Sequence, residues 1–376
     1  MSWSVVHETD GVFIRPPQGA ADTEKPVALG SLAFLLPIGA KMSGRFSERP
    51  SVTAQVDPNG PKLTSIASNP VPEGARVGYF TTPDKVRLRY AHWRAKGVAA
   101  PKGTICLVQG RTEYIEKYFE TIEDFRQRGF AVATFDWRGQ GGSDRLIGDR
   151  HLGYVDHFDD YWTDLRSFHA DILLPDCPLP FYLVGHSMGG LASLYAATRD
   201  RMMFDRVFLS APMVGLHGME ESLKRTAMLA RTVSFVGLGR LPMARKGDNR
   251  PDESMYPDNP LTSDQRRYNR MVETIRADDE LYLGAPTFQW LAASMRAMVD
   301  AGKDSFPAGV KIPLLMLAAG NDRIVSTPTI EKLGLALRTG RHMVIPGGRH
   351  ELFMERDVIR AQVLAAFDAF ITQQSA

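Results

Sequence analysis

The chain predicts an α/β fold: a mostly parallel central sheet with helices on both faces and an inserted helical segment. Three observations carry this prediction. Short apolar runs alternate with stretches of helical period from GTICLVQG (103–110) to RVFLSAPMV (206–214). The alternation stops over residues 215–305, which are polar and helical in character without a convincing strand. It resumes with PLLMLAAG (313–320) and HMVIP (342–346) and ends in a helical stretch near 355–373. Short, wholly apolar runs suit strands buried on both faces, and repeated strand–helix–strand units imply parallel pairing beneath helices.

Taken in order, RVGYFTT (76–82) and VRLRYAHWRA (86–95) predict paired strands about the Pro83-Asp84 turn. Next come the strand 103–110, a helix over 114–130, the strand AVATFDWR (131–138) and a helix over 158–173. PFYLVGHS (180–187) is a strand, 188–200 a helix and 206–214 a strand; after the insertion a further helix is expected near 328–338. Residues 1–75 hold nine of the 24 prolines and show no clear period, so they are expected to form a partly disordered leader. The expected organisation is therefore a leader (1–75), a core (76–214 and 306–376) and a helical insertion (215–305). On this division the 376 residues make one decorated domain.

Composition excludes several classes. Lys and Arg number 45 against 43 Asp and Glu, and a net charge of +2 gives no reason to expect a nucleic-acid partner. Two cysteines, Cys106 and Cys177, exclude a disulfide framework and a cysteine zinc site. The apolar run 26–40 is too short to span a bilayer and is interrupted by Pro37. Glu8, Asp10, Asp22 and Glu24 precede it against Arg15 and Lys25, the wrong charge for an export signal, so a cytoplasmic location is expected.

The chemistry is carried by Gly185-His186-Ser187-Met188-Gly189, a G-x-S-x-G pattern between the strand FYLVG and the helix MGGLASLYAA. A sharp strand-to-helix turn projects the serine hydroxyl and leaves little room for its neighbours, hence the flanking glycines. A serine nucleophile needs a base and usually an orienting carboxylate, in the chain order Ser, acid, His. Asp322 follows the strand 313–320, whereas no acid directly follows the strand ending near Met213. His350 follows the last strand in a loop opened by Gly347 and Gly348; His342 begins that strand and His217 has the wrong chain order. The tetrahedral oxyanion needs two N–H donors. They are expected from Met188, after the nucleophile, and Arg111, in the loop after strand 103–110, where Gly110 permits close approach. The Arg111 side chain could face substrate or pair with Glu113. No metal or organic cofactor is required.

These residues resemble the α/β-hydrolase superfamily, in particular the monoacylglycerol lipase and bacterial lysophospholipase branch. The resemblance covers roughly 70–374 and rests on LVQGRTEYIEKY (107–118), FDWRGQGGSDR (135–145), GYVDHFDDYWTDL (153–165), LVGHSMGG (183–190), LAAGNDRIV (317–325) and GGRHELFME (347–355). NPLTSDQRRYN (259–269) also resembles the bacterial members. The resemblance implies hydrolysis of a lipid ester, a lysophospholipid or monoacylglycerol, with 215–305 serving as a cap over the acyl pocket and Asp136 to Asp144 as a structural loop. Much of the branch has His-Gly where this chain has Gln109-Gly110, which makes both residues candidates for substrate contact. An acyltransferase, a hydrolase of small esters or peptides, and a non-catalytic binding protein are the alternatives. Within the insertion, Lys224, Arg225, Arg231, Arg240, Arg245, Lys246 and Arg250 stand against Asp248 amid apolar residues. That mixture suits peripheral contact with an anionic membrane, or simply a solvated basic face.

Overall fold

The computed structural model describes the backbone of 4–8 and 11–15, and residues 60–219, 221–243 and 250–372. The apolar run 26–40 and residues Arg245, Lys246 and Asp248 lie outside the described residues. The strands β1 (Ser4–Glu8) and β2 (Gly11–Arg15) pair antiparallel and belong to a unit spanning 1–56.

The second unit, 57–376, holds the predicted sheet. Its elements run β3 (Arg76–Thr81), β4 (Arg87–Trp93), β5 (Thr104–Val108), α1 (Phe119–Gln127), β6 (Ala131–Phe135), α2 (Asp160–Phe168), α3 (Leu174–Asp176), β7 (Phe181–His186), α4 (Ser187–Arg199) and β8 (Arg206–Ser210). The insertion carries α5 (Leu223–Val233), α6 (Gln265–Ala277) and α7 (Phe288–Ala301). After it come α8 (Phe306–Gly309), β9 (Leu314–Ala319), α9 (Thr327–Ala336), β10 (Gly340–Ile345) and α10 (Asp357–Thr372). The eight strands are ordered β10-β9-β8-β7-β5-β6-β4-β3; six are parallel, and β3 and β4 add antiparallel pairs at one edge. This is the α/β-hydrolase arrangement.

The wholly apolar strands are explained by two cores. On β5, Cys106 and Val108 enter one and Ile105 and Leu107 the other, as the period of two requires. The first core is roofed by α2, α4, α7 and α9, the second by α1 and α10. Register then sets the site. Val108 pairs with Gly185, His186 with Ser210 and Ile345 with Ala319, so the loops after β5, β7, β9 and β10 leave one edge of the sheet together.

Residues 60–75, grouped by composition with the leader, lie against the core. Leu63, Val71 and Ala75 pack on the second core, Asn69 Nδ2 donates to the Glu116 carbonyl at 2.8 Å, and Trp93 Nε1 donates to the Pro72 carbonyl at 3.0 Å. The reason is polar as much as apolar: this segment supplies a donor to the Glu116 carbonyl and an acceptor to the Trp93 indole.

Candidate active site

The motif around Ser187 folds as its chemistry demands. Strand β7 ends at His186 and α4 begins at Ser187, which sits at φ 51°. That left-handed conformation costs a non-glycine residue roughly 1–2 kcal/mol, and the surrounding packing must hold it. A Cβ on Gly189 would lie 2.4 Å from the Gln109 carbonyl, and one on Gly185 would lie 2.6 Å from Ser193 Oγ. Both glycines are therefore demanded by close approach of α4 to the sheet.

The structure brings Ser187, His350 and Asp322 together. His350 Nε2 stands 3.0 Å from Ser187 Oγ, and His350 Nδ1 stands 2.8 Å from Asp322 Oδ2. Asp322 Oδ1 accepts the Ile324 and Val325 N–H groups at 2.8 and 3.0 Å. Burial disfavours the Asp322 charge, but the His350 hydrogen bond and these backbone donors outweigh it and hold the carboxyl below its ordinary range. The loops are tied directly, since Asn321 N donates to the Gly348 carbonyl at 2.8 Å. The insertion braces them, with Glu351 N donating to the Leu261 carbonyl at 2.9 Å.

Beside the serine, Met188 N–H lies in the first turn of α4, where no helical carbonyl precedes it. Its side chain is buried in the first core, so only its backbone is available to the site. Arg111 N–H has no protein acceptor among the described residues. The peptide groups around it are pinned: Gly110 N–H donates to Glu113, and Gln140 Nε2 donates to the Gly110 and Glu113 carbonyls at 2.8 and 3.0 Å. Among the described residues neither expected donor has a protein acceptor, while polar groups around Arg111 N–H are occupied.

One expectation is corrected. Gln109 is fully buried, donates from Nε2 to Thr134 Oγ1 at 2.9 Å, and does not line the cavity over Ser187. Its carboxamide is turned toward Thr134 on β6 and away from the cavity. Gly110 does line the cavity.

Sequence reasoning also missed a buried charge cluster under the site. Lys117 Nζ lies 2.9 Å from Glu113 Oε1 and 2.6 Å from Glu351 Oε1, and Tyr118 Oη donates to Glu113 at 2.8 Å. Burial raises the Glu351 carboxyl, whereas for Glu113 the Lys117 charge overcomes burial and lowers it. Nearby His186 is pushed down to about 4 by burial and by the charges of His350 and Lys117, and Glu113 opposes this only in part. It therefore stays neutral beside His350, its ring centroid 4.8 Å from that of His350. The signal was present, because Glu113, Lys117 and Gln140 fall inside quoted motifs; only their contacts were hidden.

Over Ser187 lies a cavity of about 240 Å³ walled by Met213, Leu216, Trp290, Leu291 and Met298, with Arg111 at its polar side. Leu216 and Met298 also line a neighbouring cavity of about 550 Å³. Arg111 does not pair with Glu113. Its Nη2 donates to the Gly284 carbonyl and its guanidinium lies 5.0 Å from the Trp290 ring centroid. Burial pushes its pKa down to about 10. Among the described residues no group of His, Cys, Asp or Glu could hold a metal ion, and no helix is long and apolar enough to cross a membrane.

The chain matches the family described as Serine aminopeptidase, S33, over residues 99–357. It is 30% identical over 311 residues to lysophospholipase L2 of Escherichia coli (strain K12), covering 79% of this chain and 87% of that protein. It is 27% identical to the monoacylglycerol lipase of Mycolicibacterium smegmatis, covering 72% and 88%. The fold matches a monoglyceride lipase from Saccharomyces cerevisiae with TM-score 0.63 at 19% identity, covering 79% of this chain and 95% of that one. With the sheet, the strand-to-helix turn at Ser187 and this family match in agreement, the chain belongs to the Serine aminopeptidase, S33, family and is a hydrolase of the α/β-hydrolase fold.

Proposed function

We propose that this protein hydrolyses the carboxylic ester of a lipid, a lysophospholipid or monoacylglycerol, through an acyl-enzyme on Ser187. The observation that carries it is the hydrogen-bonded chain from Ser187 Oγ through His350 to Asp322. Its similarity to lysophospholipase L2 and to monoacylglycerol lipase supports the lipid class, and the apolar walls formed by Leu216, Leu291 and Met298 supply room for an acyl chain.

In this reading His350 Nε2 takes the Ser187 proton as Oγ attacks the carbonyl. The oxyanion lies against the N–H groups of Arg111 and Met188. Collapse breaks the bond to the glycerol oxygen, which receives the proton from His350. Water then attacks the acyl-enzyme by the same route and releases the fatty acid. Residues 215–305 act as a cap on the core formed by 76–214 and 306–376. Covalent labelling by a fluorophosphonate should reach Ser187 in folded protein and vanish in Ser187→Ala. Labelling that persists in the variant, or never occurs, sinks the mechanism.

We assign the enzyme to the cytoplasm, with an anionic membrane as a peripheral partner. Met228, Leu229, Phe235 and Val236 are exposed on and just after α5, interleaved with exposed Lys224, Arg225 and Arg231. Apolar side chains among cations match an anionic interface. Sedimentation should show stronger binding to phosphatidylglycerol vesicles than to phosphatidylcholine ones, and weaker binding for Phe235→Asp. Equal binding to both vesicles, or an unaffected variant, refutes the contact.

A further inference from the structure

Among the described residues Arg111 is the only Lys or Arg on the wall of the cavity over Ser187, and this half-buried arginine, whose Nε is fully buried, differs from the buried arginines of the core. Arg89 faces Glu116 and Asp136, Arg138 faces Asp164 and Asp84, and Arg267 faces Asp264 and Glu120. Arg111 has no carboxylate within ion-pair distance among the described residues, and its buried Nε has no acceptor. A buried guanidinium donor left unpaired is costly, and native structures rarely tolerate one without a reason.

Its position is built. Trp290 lies against one face of the guanidinium and the Gly284 carbonyl takes one Nη2 hydrogen. Gly153 makes room, because a Cβ there would lie 2.9 Å from Arg111 Nη2. The two carboxylates that line the same cavity, Glu113 and Glu351, are occupied by Lys117 and do not serve it. What remains is a fork-shaped cation, partly desolvated, one side chain away from the site of ester cleavage.

We infer that the Arg111 guanidinium receives the phosphate of a lysophospholipid whose acyl ester lies at Ser187, and so sets preference for phosphorylated over uncharged glyceryl esters. This rests on the lipid-esterase reading above. The distances are commensurate. The ester carbonyl accepts from Arg111 N–H, and six bonds lead along that residue from N to the guanidinium carbon. In a 1-acyl lysophospholipid six bonds lead from the carbonyl carbon to phosphorus. Both chains extend to roughly 7 Å, so one residue can hold the oxyanion by its backbone and the headgroup by its side chain. A planar fork suits phosphate, and partial desolvation strengthens the pairing.

The test compares kcat/KM for 1-acyl lysophosphatidylglycerol and the 1-monoacylglycerol of equal chain length, in the same micelles. The ratio of the two values, which cancels any shared loss from disturbing the loop, should fall about 10- to 100-fold in Arg111→Gln. Arg111→Lys should fall between, since an ammonium keeps charge but loses the fork. The uncleavable ether analogues of both lipids, used as competitors of a short soluble ester, should show the same shift in their inhibition ratio. A ratio within about twofold of the parent in both assays overturns the inference. So does a variant that loses inhibition by a free fatty-acid anion while the lipid ratio stays, since the cation would then serve the product carboxylate. A parent enzyme that cleaves neither lipid refutes the lipid-esterase reading and this inference with it. Cleavage of both lipids with an unchanged variant ratio refutes the inference alone.

Discussion

Replacing Ser187 with alanine should lower kcat for lipid-ester hydrolysis on the order of a millionfold while the chain still folds. The substitution removes Oγ and keeps Cβ, so the φ of 51° is no harder to hold than before. Removing the base in His350→Ala should cost nearly as much, because nucleophile and base act as one unit. Asp322→Asn should cost less, on the order of ten-thousandfold, for a reason visible in the loop. Asp322 Oδ1 is held by the Ile324 and Val325 N–H groups, which donate only to an oxygen. An asparagine must therefore turn its NH₂ toward His350 Nδ1, forcing the proton onto Nε2, where the base must be free. Turnover of a lipid ester at pH 7, with circular dichroism to confirm folding, reads all three. Ser187→Ala retaining more than about one per cent of parental kcat would exclude an acyl-serine route.

Arg89→Met should destabilise the protein by about 3–5 kcal/mol. Arg89 is buried and makes bonds of 2.7 Å to Asp136 and 2.8 Å to each oxygen of Glu116, both of which are also buried. Its Nη1 also donates to the Lys62 carbonyl at 2.8 Å, joining β4 to residues 60–75. Burial works against the guanidinium charge, but the two carboxylates overcome it and raise its pKa. Losing the arginine leaves two carboxylates facing each other without a counter-charge. Burial already raises Glu116, and removal of Arg89 would raise it further. Urea unfolding at pH 7 measures the loss. Adding Glu116→Gln to Arg89→Met should recover part of it, because one stranded charge is gone. A double variant no more stable than Arg89→Met would show that lost packing, and not unpaired charge, is the cause.

The turn at Ser187, the proposed nucleophile, was legible because its requirements are local. A turn that projects a hydroxyl needs glycines within a few residues, and Gly185 and Gly189 stand where the backbone leaves no space. Asp322 and His350 were legible through chain order, which a parallel sheet converts into position at one edge. Gln109 was misjudged because a side chain one residue beyond a strand can turn either way. Here it satisfies Thr134 on β6. The Arg111 side chain could not be resolved from sequence at all, since Glu113 is only two residues away and was an equally good partner on paper. Lys117 and Gly110 take that carboxylate, and both contacts exist only after the chain folds. Composition likewise grouped 60–75 with the residues before them, because hydrogen bonds to Glu116 and Trp93 leave no trace in proline content.

By itself, then, the sequence determined the order of the strands from β3 to β10, the turn at Ser187 and the chain positions of Asp322 and His350. Those follow from period, glycine spacing and strand ends, all of them short-range or topological. The tertiary structure alone decided which backbone donors stay unspent, which buried charges neutralise one another and which guanidinium is left without a carboxylate. Each depends on pairings between residues far apart in the chain, as between Lys117 and Glu351, whose energy is set by distance and burial and not by sequence neighbourhood.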